Sequence, residues 1–172
     1  MLEQEAKTTV GWIGRDRKRS EDPRLITGQG CYIEDLRIPD LVDVALVRSI
    51  HPHARIRAIE ASAARAMPGV LGVFTAADLD GVGGVPVAGN LNIPEHPPLA
   101  SDRVRFVGDP LVAVVAEDRM RAEDALAAVA IDYEPLPAVV DARAALEPDA
   151  PLVHDEFGTN VSLTAAFSTG DG

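Results

Sequence analysis

Apolar residues in this chain occur in short runs separated by turn-forming residues, a pattern typical of buried β-strands. The valine-rich runs cover residues 41–50, 70–75 and 111–116. Residues 111–116 contain no polar side chain at all, which predicts a strand in the centre of a sheet. Residues 31–33 predict a further short strand. Residues 54–60 are expected to continue the sheet after a His-Pro-His bend, and residues 131–133 alternate like an edge strand.

Helical periodicity is clearest in residues 119–130, where four apolar residues fall on one face. These are Ala122, Ala125, Leu126 and Val129. Asp118 precedes them and can accept hydrogen bonds from the first free N–H groups, as an N-cap does. Shorter helices are predicted at 63–67 after Ser62, at 76–79 after Thr75, and at 142–146. Strands and helices in this order predict a mixed α+β domain.

The chain divides into three parts by composition. Residues 1–22 are polar and charged and predict a flexible leader, residues 23–147 predict the folded domain, and residues 148–172 predict a tail or linker. Residues 80–100 form a long loop rich in glycine and proline, and such loops are usually functional, mobile or covered. We expect this loop and the tail after about Pro148 to exchange their amide hydrogens fastest.

Composition limits the functional classes. Apolar residues make up 47% of the chain and aromatic residues 4%, so the core should be aliphatic. No apolar run approaches the roughly 18 residues of a membrane helix, and no secretory signal is evident. A cytoplasmic location is therefore expected. The net charge is −11, and residues 107–172 carry 13 acidic and 3 basic side chains. This argues against nucleic-acid binding and leaves either a solvated acidic face or a docking surface for a partner subunit.

Two histidines form the most conspicuous candidate metal ligands. His51 and His53 would point to one side of an extended backbone and could share a divalent ion. Two nitrogens are too few for a stable site, and the nearest acidic candidates, Asp43 and Glu60, have no motif spacing. Pro52 between the rings also favours a bend that separates them. Packing or backbone capping is therefore the preferred interpretation.

The other candidates for chemistry have no partners that the sequence identifies. Cys31 could be a nucleophile only beside a base, and a core thiol is the preferred interpretation. His96 and His154 are expected to be exposed loop histidines. The glycines at 28–30 and 81–84 match neither GxGxxG nor a Walker loop, so turns are favoured over phosphate binding. No catalytic, cofactor-binding or metal residue is assigned.

Two segments nevertheless give the chain a recognisable identity. Residues 48–56 (RSIHPHARI), followed by 67–70 (MPGV), precede residues 104–117 (VRFVGDPLVAVVAE). In this order and spacing they resemble the opening domain of the large subunit of molybdenum hydroxylases. That family contains xanthine dehydrogenase, aldehyde oxidase and aerobic carbon monoxide dehydrogenase. Residues 34–36 and 48–51 resemble the carbon monoxide dehydrogenase branch of the family more than its other branches.

The resemblance implies an α/β-hammerhead fold, a mainly antiparallel sheet with packed helices. It also implies a large subunit holding molybdopterin, often as the cytosine dinucleotide, with [2Fe–2S] clusters and FAD on partner subunits. Such enzymes insert oxygen from water into aldehydes or N-heterocycles, or oxidise CO. The family's base and pterin-contacting residues match no position here, so this domain is not expected to be catalytic by itself.

Three functional hypotheses follow. The chain is a structural domain or fragment of such a large subunit, next to a molybdopterin-binding domain that these residues lack. Alternatively, it is a free-standing interaction domain derived from the family. A small hydrolase using Cys31 or a histidine is the least favoured, and unchanged activity of Cys31→Ala and His51→Ala variants would eliminate it.

Overall fold

The computed structural model describes residues 16, 18–84, 91–166 and 170. The chain forms two compact units, Met1–Pro39 and Asp40–Gly172. Most of the predicted leader, the middle of the 80–100 loop and the last residues of the tail lie outside the described residues. None of the described helices is long and apolar enough to cross a membrane.

The first unit contains one short helix and one 3₁₀ turn. Helix α1 spans Asp22–Ile26 and has Pro23 in its first turn, where the fixed φ of proline suits the helix. The 3₁₀ turn spans Ile33–Asp35. The Asp35 carboxylate accepts a hydrogen bond from the Tyr32 N–H at 3.0 Å. The strand predicted at residues 31–33 is therefore wrong, because this local turn takes the backbone out of an extended run.

The second unit contains two three-stranded antiparallel sheets within its described residues. The strands are β1 (Asp43–Arg48), β2 (Ala54–Glu60), β3 (Val70–Thr75), β4 (Arg103–Val104), β5 (Pro110–Ala116) and β6 (Ala130–Pro135). The helices are α2 (Ser62–Arg65) and α3 (Arg119–Leu126), with 3₁₀ turns at Ala76–Leu79, Ala144–Leu146 and Asp155–Phe157. The α+β hammerhead fold expected from the resemblance is confirmed.

The first sheet has the order β1-β5-β3. Its central strand is β5, as the uninterrupted apolar run predicts. Val114 pairs with Ala45 on one side and with Val73 on the other, so these three side chains share one face. That face points into the core, where Val114 is fully buried. We call it the inner sheet face.

The second sheet has the order β4-β2-β6. Strand β2 pairs with β6, with Ile59 opposite Ile131. The expectation that residues 54–60 continue the first sheet is wrong, because the bend after β1 turns the chain into a separate sheet. The edge position expected for residues 131–133 is confirmed, since β6 lies at the margin of this second sheet.

Helices α2 and α3 complete one aliphatic core with both sheets. Ala64 of α2 and Ala125 of α3 are fully buried, in the same cluster as Val112 and Val114. Asp118 caps α3 as predicted, accepting a hydrogen bond from the Arg121 N–H at 2.9 Å. Small alanines at these positions let the helix approach the sheet closely.

Several helix boundaries differ from the prediction, including the end of α2 at Arg65 rather than Met67 and the start of the last turn at Ala144 rather than Ala142. Helix α3 ends at Leu126 rather than at Ala130, because Ala130 pairs with Glu60 in the second sheet. Ser62 is not the N-cap of α2. It is the first helical residue, and its N–H donates to the Glu60 carboxylate at 2.8 Å. Side chain and backbone hydrogen bonds from Ser62 lower the pKa of Glu60.

Candidate functional site

The two conspicuous sequence segments meet in space at the end of the first sheet. Strand β1 ends at Arg48, directly opposite Pro110, where β5 begins. The Ser49 N–H donates to the Asp109 carbonyl, and the Gly108 N–H donates to the Ser49 carbonyl, both at 2.8 Å. These contacts join residues 48–49, where the loop to β2 begins, to residues 108–110, where the preceding loop enters β5. We call this hydrogen-bonded double loop the loop junction.

Side chains tighten the loop junction from within. The Arg48 guanidinium donates to the Gly108 carbonyl at 2.9 Å, and the Asp109 carboxylate accepts from the Arg105 N–H at 3.0 Å. Gly108 has a φ of +95°, which glycine adopts without strain. Asp109 is only 7% exposed and Ser49 only 3%. Their polar groups are used to fix the backbone.

The two candidate histidines have different neighbours at this junction. The buried His53 ring places Nδ1 2.8 Å from the Pro137 carbonyl, and a carbonyl can only accept, so Nδ1 is the protonated nitrogen. Its Nε2 is buried without a hydrogen-bond partner in the described structure. The half-buried His51 ring packs edge-on against Tyr133, with centroids 4.8 Å apart. Burial raises the pKa of the Tyr133 hydroxyl. No group of three metal-binding side chains occurs among the described residues.

A cleft of ≈ 360 Å³ lies beside the loop junction. Its walls come from residues 93–97, from the 105–109 loop and from residues 153–156. The exposed His96 ring stacks on Phe106 with centroids 6.1 Å apart. Glu95, Glu156 and Arg105 also line the cleft. It contains charges of both signs, and no nucleophile with an activating base is found among its lining residues.

Two arginines at the cleft are already paired, Arg105 in its lining and Arg103 beside it. Arg103 donates to Asp155 at 2.8 Å, and Arg105 donates through Nε to the Val153 carbonyl at 3.3 Å. The hydrogen bond from Arg103 lowers the pKa of Asp155, and the same bond raises the pKa of Arg103. These guanidinium groups therefore hold residues 153–155 against the second sheet.

His154 is less exposed than expected. Its side chain is 24% exposed, and Nδ1 lies 3.3 Å from the Glu156 carboxylate. The expectation of an exposed loop histidine is therefore wrong for His154, because the arginine pairs draw its segment inward. Partial burial and the nearby Arg105 charge lower the pKa of His154 despite the Glu156 contact.

Asn160 organises the segment around His154. Its amide donates to the carbonyls of Ala145 and Pro151 at 3.1 and 3.0 Å, and its oxygen accepts from the Val153 N–H at 3.0 Å. Three hydrogen bonds from one half-buried side chain tie this part of the predicted tail together. Rapid exchange of the amide hydrogens in this segment remains a prediction.

The remaining candidates lie elsewhere. Cys31 is an exposed free thiol, so the core-thiol interpretation is wrong. The cause is the turn at Ile33–Asp35, which replaces the expected buried strand. Asp43 begins β1, at the far end of that strand from His51. Gly28 and Gly81 have positive φ angles in turns, as their interpretation as turn residues requires.

Sequence reasoning gave no role to Ser49, Asp109, Arg103 or Asn160. The first two belong to the two segments that carry the family resemblance, and that spacing could have indicated that they meet. No local signal marks Arg103 or Asn160, because the Arg103 partner Asp155 lies 52 residues away and the Asn160 partners lie 7 to 15 residues away.

Comparison with known proteins agrees with this architecture. The family described as "Aldehyde oxidase and xanthine dehydrogenase, a/b hammerhead domain" matches residues 27–137. The chain belongs to this family. The matched residues include both segments of the loop junction and strands β1 to β6, so the hammerhead domain identified here is the unit described above.

Similar proteins are oxidoreductase subunits. The chain is 43% identical to the carbon monoxide dehydrogenase large chain of Afipia carboxidovorans, over 84% of this chain and 18% of that protein. It is 39% identical to the nicotine 6-hydroxylase large subunit of Paenarthrobacter nicotinovorans, over 92% of this chain and 20% of that protein. The chain thus spans about a fifth of the length of these relatives.

A solved structure also places the chain within a larger oxidoreductase polypeptide. Quinoline 2-oxidoreductase from Pseudomonas putida 86 superposes with a TM-score of 0.77 at 40% identity, over 88% of this chain and 20% of that chain. The chain therefore corresponds to the hammerhead-domain portion of molybdenum hydroxylase large subunits.

Proposed function

We propose that this hammerhead domain is a non-catalytic scaffold of a molybdenum hydroxylase large subunit. The observation that carries the proposal is the loop junction, in which the family's two characteristic segments are used to hydrogen-bond each other. Ser49 and Asp109 are buried and fix backbone, and Arg48 donates to a carbonyl. Such groups keep a domain rigid for packing, because their polar atoms are hydrogen-bonded to backbone.

Two groups among the described residues that could bind the phosphates of a molybdopterin cofactor are already occupied. A dinucleotide form carries phosphates, which proteins bind at free helix N-termini or with unpaired cationic groups. The N-terminus of α3 is already occupied by the Asp118 carboxylate, which would repel phosphate. Arg103 is paired with Asp155. We therefore place the cofactor in a molybdopterin-binding domain or subunit outside these 172 residues.

The complete enzyme, on this proposal, hydroxylates aldehydes or N-heterocycles with oxygen from water, or oxidises CO. Its large subunit holds molybdopterin as the cytosine dinucleotide, and partner subunits carry [2Fe–2S] clusters and FAD in the cytoplasm. Residues 23–147 form the hammerhead domain, residues 1–22 a leader, and residues 148–172 a linker toward the molybdopterin-binding domain. Relatives with different substrates are 39% to 43% identical, which supports the family and leaves the substrate class open.

Purification of the native assembly tests this function. An antibody against residues 40–166 would isolate the chain from its source cells, followed by elemental analysis for molybdenum and iron. We expect both metals, on a polypeptide much larger than 18.2 kDa or with a separate molybdopterin subunit. A native assembly containing neither metal would refute the proposal and favour the free-standing interaction domain.

A further inference from the structure

The face of the first sheet that points away from the core is apolar. Val44 lies opposite Val115, and Leu46 and Phe74 both lie opposite Ala113. These five side chains share a face, because paired residues of antiparallel strands point the same way. Val44 is 59% exposed and Phe74 is 41% exposed. We call these five residues the outer sheet face.

This composition is unusual for an uncovered sheet. An antiparallel sheet with one wet face normally alternates apolar and polar residues, whereas a strand covered on both faces is apolar throughout. Strand β5 follows the second pattern from Leu111 to Ala116. Helices α2 and α3 contribute their buried alanines to the core on the inner sheet face. The composition of β5 is therefore that of a strand packed on both faces, with a further protein surface expected against the outer sheet face.

The Phe74 ring of the outer sheet face packs beside Gly72. Gly72 lies opposite Val115. A Cβ built on Gly72 would come within 2.7 Å of the Phe74 ring, which therefore lies against the glycine. An exposed apolar patch on a folded domain marks a contact site for another protein surface.

We propose that the outer sheet face docks on an apolar surface of the molybdopterin-binding part of a large subunit. This proposal rests on the function proposed above. About four-fifths of the length of these relatives lies outside the match, and those residues could pack against the outer sheet face. A second copy of this chain is disfavoured, because two chains of net charge −11 repel each other.

Photo-crosslinking in the native assembly tests the docking. Phe74→benzoylphenylalanine would place the reactive group on the outer sheet face with little change in shape. Met120→benzoylphenylalanine is the matched control, since Met120 is 77% exposed on α3. We expect Phe74 adducts, identified by peptide sequencing, to lie in the molybdopterin-binding polypeptide, and Met120 to give none there. Adducts to a second copy, to another part of these 172 residues or to a different protein would overturn the proposal, as would their absence.

A second measurement separates the docking face from the function. Val44→Asp would introduce a charge on the outer sheet face, and Val140→Asp the same charge at an 88% exposed position. We expect Val44→Asp to reduce the yield of the Phe74 adduct in the molybdopterin-binding part at least tenfold and Val140→Asp to leave it unchanged. Equal adduct yields with both variants refute the docking face and leave the proposed function intact. Absence of molybdenum from the unmodified assembly refutes both.

Discussion

The inner and outer faces of the first sheet are made from the same three strands, and both are apolar. On the inner face Val112 and Val114 are fully buried beneath small helical residues. On the outer face Val44 and Phe74 remain substantially exposed. Hydropathy alone does not separate the two faces. Only the position of α2 and α3 decides which valines stabilise this unit and which remain available to another surface.

The largest expected effect comes from placing the same charge on each face. Val114→Asp would bury an unpaired carboxylate and should cost about 4 kcal/mol or more, enough to prevent folding. Val44→Asp should change the free energy of unfolding by about 0.5 kcal/mol or less, because its side chain can reach water. Urea unfolding of the isolated chain measures both.

If Val114→Asp yields no folded protein, Val114→Ala provides a milder comparison. We expect it to cost about 2 kcal/mol through lost burial and an unfilled cavity. Equal sensitivity of Val44→Ala and Val114→Ala would contradict the distinction between the faces.

A variant at Asp109 tests whether hydrogen bonds at the loop junction contribute as much to the free energy of unfolding as apolar packing does. Asp109→Ala removes the acceptor of the Arg105 N–H and leaves that donor unsatisfied at the loop junction. We expect a loss of about 1–3 kcal/mol in the free energy of unfolding. The exposed Asp124→Ala should leave the urea midpoint nearly unchanged. A negligible effect of Asp109→Ala would show that the junction is held by its backbone bonds alone.

A smaller effect is expected at Asn160, further from the sheet. Asn160→Ala removes three hydrogen bonds from a half-buried position and should cost about 1–2 kcal/mol. It should also speed amide exchange of Val153, which hydrogen–deuterium exchange measures. Asn92→Ala, which removes one side-chain bond to Val161, serves as the weaker control. Rapid Val153 exchange in the unmodified chain would instead confirm a mobile tail.

The smallest expected effect is a pH dependence at His154. Its pKa in the folded chain lies below the ordinary imidazole value of about 6.5, because partial burial and the Arg105 charge disfavour the protonated ring, so the neutral ring favours folding. This contribution is complete above pH 6.5 and is lost as the pH falls through the lowered pKa. Stability of the unmodified chain should therefore decline below pH 6.5 more than that of His154→Gln, in urea unfolding at several pH values. Parallel profiles would contradict the partial burial of His154. Asp155 and Glu156, whose pKa values are also lowered, lose their contributions only at more acidic pH.

Local sequence predicted most of the regular structure. The bounds of β2 and β3 agree with the apolar pattern, and Asp118 caps α3 as its position before the helix suggests. Errors occur where a distant partner overrides the local pattern. Ala130 leaves helix α3 because Glu60 offers strand pairing, and His154 is drawn inward by the neighbouring arginine pairs. The candidate site was only partly predictable for the same reason.

The sequence by itself determined the strand-forming runs, the central position of residues 111–116 and the family to which the two conspicuous segments point. These follow from side-chain hydropathy and spacing, which act over a few residues. Tertiary structure alone decided that the strands form two sheets, that Ser49 and Asp109 join the two segments, and that Val44 and Phe74 of the first sheet stay exposed while Val112 and Val114 are buried. Those outcomes depend on hydrogen bonds and packing between residues far apart in the chain, whose pairing no local pattern encodes.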